Sequence, residues 1–75
     1  MVGETNQVIK DSENVYRIEY ASAKRVAKNV DQNDLLAWAQ FLEYVRSIGA
    51  LGALKKSGAK QGDTVIVGDI SWIME

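Results

Sequence analysis

The chain has 75 residues, which suffice for one small domain and leave no room for a second. Hydrophobic residues make up 47% and charged residues 25%, so the composition permits a core and is not that of a disordered chain. Nine Lys and Arg against ten Asp and Glu give a net charge of −1, which predicts no general attraction to nucleic acid or anionic membranes. The absence of Cys and His excludes thiol nucleophiles, disulfides, zinc fingers and imidazole bases.

The N-terminal segment, residues 1–14, mixes small, polar and charged side chains around Val8 and Ile9. We interpret it as a flexible tail or interdomain linker, with a candidate short strand at residues 8–10. It has no apolar core of the signal-peptide type, and no apolar run approaches the roughly 18 residues that a spanning helix needs. These features predict a soluble, cytoplasmic chain without membrane contact.

Regular structure is expected to start with a strand at residues 15–20. Bulky side chains alternate there with charged ones, a period of two that is typical of a half-buried strand: Tyr16, Ile18 and Tyr20. A short helix should follow over residues 21–30, with Ser22 as its N-cap. Its apolar stripe has the spacing i, i+3, i+4, i+7: Ala23, Val26, Ala27 and Val30.

A long helix is predicted at residues 33–48, begun by Asp31 or Asn33 as the cap and ended by Gly49. Its stripe is the strongest periodic signal in the chain, and Phe41 broadens it: Leu35, Trp38, Ala39, Leu42, Val45 and Ile48. A second short helix is expected at residues 51–57, anchored by Leu51 and Leu54 and stopped by Gly58.

The C-terminal residues predict a hairpin at 64–74, because Gly68-Asp69 is a two-residue turn signal between two apolar runs. Counting outward from that turn pairs Val67 with Ile70, Val65 with Trp72, and Asp63 with Met74. One face should then hold five side chains that pack on the long helix: Val65, Val67, Ile70, Trp72 and Met74. The predicted fold is one α+β domain, with a small, mostly antiparallel sheet (strand 15–20 and hairpin 64–74) packed on helix 33–48 and two short helices.

No residue pattern indicates chemistry. The Gly- and Lys-rich stretch at residues 49–62 fails the P-loop pattern, because Leu54 stands where a Gly is required. Four acidic residues fall at predicted caps and turns, which explains them without catalysis: Asp31, Asp34, Asp63 and Asp69. Trp38, Phe41 and Trp72 fit core packing better than a base-stacking platform, and Tyr44 is left open. We expect no catalytic, cofactor-binding or metal-binding residue in this segment.

Two basic groups form a candidate contact surface, although solvated helix faces are the default explanation for them: Lys24, Arg25, Lys28, Lys55, Lys56 and Lys60.

From residue 15 onward, the order of signals resembles the C-terminal domain of the Obg family of GTPases, which act in ribosome assembly. Matching residues are Tyr16 and Ile18 in the first strand, then Ala53-Leu54, Gly58-Ala59, Gly62-Asp63, Val65 and Gly68-Asp69. The resemblance covers about 60 residues of one domain, 15–75. Departures occur at Tyr20, where the family usually has Gly, and at Trp72 and Met74, where it tends to have other aromatic residues.

The resemblance implies a regulatory or interaction domain of a ribosome-assembly and stress-response GTPase. GTP and magnesium would belong to the parent's GTPase domain, because none of the family's nucleotide-binding motifs lies in this sequence. The implied partners are that GTPase domain and the large ribosomal subunit, with no small-molecule ligand of this segment. The alternative is an independent RNA-binding or protein-interaction module that uses the two basic groups.

Overall fold

The computed structural model describes residues 6–74. In this part of the chain four strands form one sheet and three helices accompany it, so the α+β class is confirmed. The elements in chain order are β1 (Gln7–Ser12), β2 (Val15–Glu19), α1 (Ala21–Ala27), α2 (Leu35–Ser47), α3 (Ala50–Lys56), β3 (Thr64–Val67) and β4 (Ile70–Ile73). None of the helices in this described part is long and apolar enough to cross a membrane.

The sheet has the order β1-β2-β3-β4, and its neighbouring pairs are antiparallel, parallel and antiparallel. It is therefore a mixed sheet, and the prediction of a mostly antiparallel one is wrong. The parallel pair forms because all three helices lie between β2 and β3 in the chain, and such a crossover returns the chain in the same direction.

The first strand corrects the prediction for the N-terminal segment. A flexible tail over residues 1–14 is wrong for Gln7–Ser12, which pairs with β2, although the candidate strand at 8–10 lies within this element. Composition was misleading because β1 is an edge strand that half-buries one side chain, Val8, and exposes the others. The part of the predicted tail at residues 1–5 lies outside the residues that the structure describes.

The first helix begins at Ala21, as predicted, but ends at Ala27, so the prediction of a helix up to residue 30 is wrong and Val30 lies outside it. Ala23 and Ala27 of the predicted stripe are buried, and Val26 and Val30 pack against the core. Tyr20, in an extended conformation, is the N-cap residue and makes no side-chain capping bond. Ser22 lies inside the helix, so its prediction as the cap is wrong.

The second helix is capped by Asp34, whose Oδ1 accepts hydrogen bonds from two backbone N–H groups of the first turn, at 3.1 and 3.2 Å. Asp31 and Asn33 are therefore not the cap: Asp31 instead accepts the Asn33 N–H at 2.9 Å in a turn before the helix. The backbone of α2 lies against α1 and α3, and these two helices are the ones closest to the strands. The prediction that the long helix covers one face of the sheet is therefore wrong in extent: α1 and α3 lie closest to the strands, and α2 contacts the sheet through Trp38 and Phe41 against Trp72.

The core-facing direction of α2 is centred on Phe41 and Val45, both buried. Leu35 is 83% exposed and Ala39 is also exposed, so their prediction as core residues is wrong. At 100° per residue they lie about 120° and about 160° around the helix from Phe41. The largest fully buried side chains are Phe41, Ile18, Leu54, Val45, Val65 and Val67.

The C-terminal hairpin has the predicted register, which pairs Val67 with Ile70 and Val65 with Trp72. The Met74 N–H donates to the Asp63 carbonyl at 2.8 Å, in agreement with the third expected pair. All five side chains predicted to share one face belong to the core or pack against it: Val65, Val67, Ile70, Trp72 and Met74.

The third helix runs one residue earlier than predicted, over Ala50–Lys56, and buries Leu54 as its main anchor. Gly49 and Gly58 stop the helices before them with φ of 86° and 105°, as predicted. A side chain at Gly58 would also meet the Tyr16 hydroxyl, 3.3 Å from the position of its Cβ. The turn between α3 and the sheet therefore depends on this glycine.

Candidate docking groove

The two predicted basic groups lie on different helices. In the first group, Lys24 Nζ is 2.6 Å from Glu19 Oε1, so this ammonium is already paired. Lys28 is exposed at the C-cap of α1, and Arg25 is exposed one turn before it. The charge of Lys24 is therefore already neutralised within the domain, which weakens this group as a contact surface.

The second basic group lies at the end of α3 and in the turn after it. Lys55 and Lys56 occupy the last turn, where a cation interacts favourably with the helix dipole, and both are exposed. Lys60 is exposed in the turn, and its backbone N–H donates to Asp63 Oδ2 at 3.1 Å. The structure thus gives Lys55 and Lys56 a local role and leaves their ammonium groups accessible.

Three aromatic side chains join α2 to β4. The ring centroid of Trp38 is 5.5 Å from that of Phe41 and 5.2 Å from that of Trp72, the second contact being edge-to-face at 82°. Phe41 and Trp72 are 5.9 Å apart, at 87°. Offset and edge-to-face pairs of this kind contribute about 0.5–1.5 kcal/mol beyond the area they bury. The predicted packing role of these three residues is confirmed.

A groove of about 610 Å³ opens beside this aromatic cluster. Its walls are Trp38 and Leu42 from α2, Leu51 and Lys55 from α3, and residues 72–74 from β4 and its end. Trp38 and Trp72 are only half-buried, because one side of each indole faces the cluster and another lines the groove. All of its lining residues except Lys55 are apolar or aromatic, so the groove is mostly apolar.

The sequence singled out every residue that lines this groove except Ile73, but it did not predict the groove itself. It assigned Trp38, Leu42 and Trp72 to a closed core, and it treated Lys55 as part of a charged face. A helical stripe and a strand face show which residues meet, but they do not show how far apart the backbones of two elements lie. Tyr44, left open by the sequence, is half-buried beside a smaller cavity of about 290 Å³ near the end of α1.

Of the four acidic residues that the sequence assigned to caps and turns, Asp31, Asp34 and Asp63 make such bonds in the structure. Asp34 and Asp31 bond to backbone N–H groups at the start of α2, as described above. Asp63 is 4% exposed, and its carboxylate holds the turn before β3 through the Lys60 N–H. Among residues 6–74, no three acidic side chains are grouped so that they could hold a metal ion.

The comparisons with known proteins give one positive result. No curated protein matches the sequence. The sequence profile of one protein family, described as a domain of unknown function (DUF1967), matches residues 6–73. This range begins just before β1 and ends with β4, so it covers all seven elements. Because the match includes nearly the whole chain, the chain belongs to the DUF1967 family.

Proposed function

We propose that the chain is a regulatory and interaction domain of an Obg-type GTPase that acts in assembly of the large ribosomal subunit and in the stress response. The observation that carries this proposal is the ordered run of residues from Ala53-Leu54 to Gly68-Asp69, which resembles the C-terminal domain of that family. The match of a single family profile to residues 6–73 supports treating the run as part of one inherited domain.

Five positions of the run have separate structural tasks in the turn that joins α3 to β3 or in the elements beside it. Leu54 is fully buried, and Gly58 and Gly62 have φ of 105° and 94°. Asp63 accepts the Lys60 N–H, and Val65 is fully buried between the sheet and the helices. An unrelated sequence would have to meet all of these requirements in the same order. The whole run is therefore stronger support for the resemblance than any one of its matching dipeptides.

In the proposed division of labour, the parent's GTPase domain holds GTP and magnesium, and this domain contacts it or the large ribosomal subunit. The domain itself is proposed to have no catalytic, cofactor or metal site, no small-molecule ligand and no membrane contact, and its location is proposed to be cytoplasmic. The accessible surface around Lys55 and the half-exposed indoles supports a role in contacts between proteins.

The proposal is tested with the purified chain and an isolated Obg-type GTPase domain. We expect no GTP hydrolysis above background by the chain alone. We also expect amide chemical-shift changes on one face of the ¹⁵N-labelled chain when the GTPase domain is added, and a changed hydrolysis rate of that domain. Hydrolysis by the chain itself, or a mixture in which neither spectra nor rate change, would contradict the proposal.

A second candidate function, an independent RNA-binding module, is favoured by the exposure of Lys28, Lys55, Lys56 and Lys60. The ion pair between Lys24 and Glu19 counts against it, because that charge is already neutralised. RNA binding that weakens steeply with salt, and weakens again when Lys55 and Lys56 are both changed to Glu, would support this alternative. Binding that ignores salt, or no binding, would exclude it.

A further inference from the structure

The groove lies beside the C-terminal end of β4, where residues 72–74 line it. Successive side chains of a strand point to opposite faces of the sheet, yet the three consecutive residues 72–74 all line the groove. A cavity can contact three consecutive residues in this way when it follows the edge of the strand and touches the backbone. In the order of the described strands, β4 is the last, so this edge carries no further strand.

The backbone polar groups of Ile73 point away from β3 and toward that open edge. Met74 donates its N–H to the Asp63 carbonyl at 2.8 Å and accepts the Gly62 N–H at 2.9 Å, so both of its polar groups face β3. The next residue along an antiparallel strand presents its groups in the opposite direction. The Ser71 carbonyl agrees with this alternation, because it accepts the Gln32 side-chain N–H at 3.0 Å from the loop before α2.

Lys55 supplies the charge of the groove. It is the charged side chain among the described residues that line the cavity, and it is exposed at the end of α3. Within residues 6–74 its ammonium has no ion-pair partner. The groove thus combines an apolar floor with one cation and one free backbone edge.

We propose that this groove binds an extended segment of a partner protein that carries bulky apolar side chains and a carboxylate. The segment adds a strand to β4, with backbone hydrogen bonds to the N–H and carbonyl of Ile73. Its apolar side chains cover the indoles of Trp38 and Trp72, and its carboxylate pairs with Lys55. The groove has this chemistry whichever parent protein carries the domain, so the inference does not depend on the proposed function.

Backbone pairing at the β4 edge favours a different chain over a second copy of this one. Charge does not separate the two occupants, because Asp69 and Glu75 flank β4 and Met74 in a second copy. A symmetric pairing would be limited at Ser71, because Gln32 already occupies its carbonyl in each copy. A helical occupant would satisfy its own backbone groups and leave those of Ile73 without a partner.

The test begins with selection from a displayed library of random peptides of about ten residues, with the purified chain as bait. We expect enriched peptides in which apolar residues alternate and at least one Asp or Glu is present. A synthetic enriched peptide without Trp should change the fluorescence of Trp38 and Trp72 and shift the amide signal of Ile73. The proposal would be overturned if no peptide is enriched, or if the enriched peptides have apolar residues at helical spacing or lack acidic residues. Self-association of the chain that shifts the same signals would also overturn it.

Two matched comparisons separate the charge from the backbone contribution. Lys55→Glu should weaken peptide binding about tenfold, whereas Lys56→Glu, the neighbouring lysine outside the groove lining, should leave the affinity unchanged. Ile73→Pro removes the outward N–H at an edge position, where Pro is tolerated, and should abolish binding that Ile73→Val retains. If Ile73→Pro does not fold, a peptide N-methylated at alternate positions gives the same test. Equal affinities within both comparisons would refute the proposal.

Discussion

Truncation of Phe41 to Ala is expected to remove a large share of the stability of this domain. Phe41 is 2% exposed and its ring contacts both indoles, at 5.5 and 5.9 Å. Deleting a buried Phe costs about 3–5 kcal/mol, since the lost burial is joined by a cavity. A chain of 75 residues has a total free energy of unfolding of about 4–11 kcal/mol, so the variant should lose at least about a quarter of it and unfold outright if the total lies at the low end.

Leu35→Ala is the matched control, because Leu35 lies on the same helix and belongs to the same predicted apolar stripe, yet is 83% exposed. It should cost less than about 0.5 kcal/mol. Urea unfolding followed by far-UV circular dichroism measures both variants without depending on the indoles that Phe41 contacts. Similar losses in the two variants, or a loss below about 1 kcal/mol for Phe41→Ala, would refute the packing described here.

Three further predictions concern single turns and caps, each measured as the free energy of unfolding in urea. Asp34→Ala should lose about 1 kcal/mol and Asp34→Asn much less, because an amide oxygen still caps α2; equal losses would exclude the capping role. Gly52→Ala should raise the free energy of unfolding by about 0.5–1 kcal/mol, since an added Cβ meets nothing within 4 Å. Gly58→Ala should lower it by at least that much, because of the φ of 105° and the nearby Tyr16 hydroxyl. Changes of the same sign in both variants would contradict this account. Asp63→Ala should lose about 1.5–3 kcal/mol, because the Lys60 N–H loses its charged acceptor, and a neutral result would show that the turn does not need it.

The features that could be predicted are those whose cause is local in the chain. The hairpin register follows from the two residues between its strands, so Val65 and Trp72 could be paired by counting from Gly68-Asp69. The helix stops at Gly49 and Gly58 follow from conformations that glycine adopts most easily. The contact between Trp38 and Trp72 could be predicted because the helical stripe turns Trp38 toward the core and the strand alternation turns Trp72 toward it.

The features that could not be predicted depend on distant neighbours. β1 is stabilised by backbone pairing with β2, to which its mostly exposed side chains contribute little apolar area. The parallel pairing of Arg17 with Ile66 joins segments separated by all three helices, and no turn signal specifies it. The exposure of Leu35 depends on how α2 is rotated against α1 and α3, which the stripe of Trp38, Leu42 and Val45 leaves open.

The central claim, that this domain serves an Obg-type GTPase, is tested most directly by sequencing the open reading frame upstream of the codon for Met1 in the source genome. We predict that the same frame encodes a GTPase domain with a P-loop, so that one polypeptide joins the nucleotide site to this domain. A frame that encodes this domain without any nucleotide-binding domain would contradict the claim, and the peptide groove would then be the function that remains to be tested.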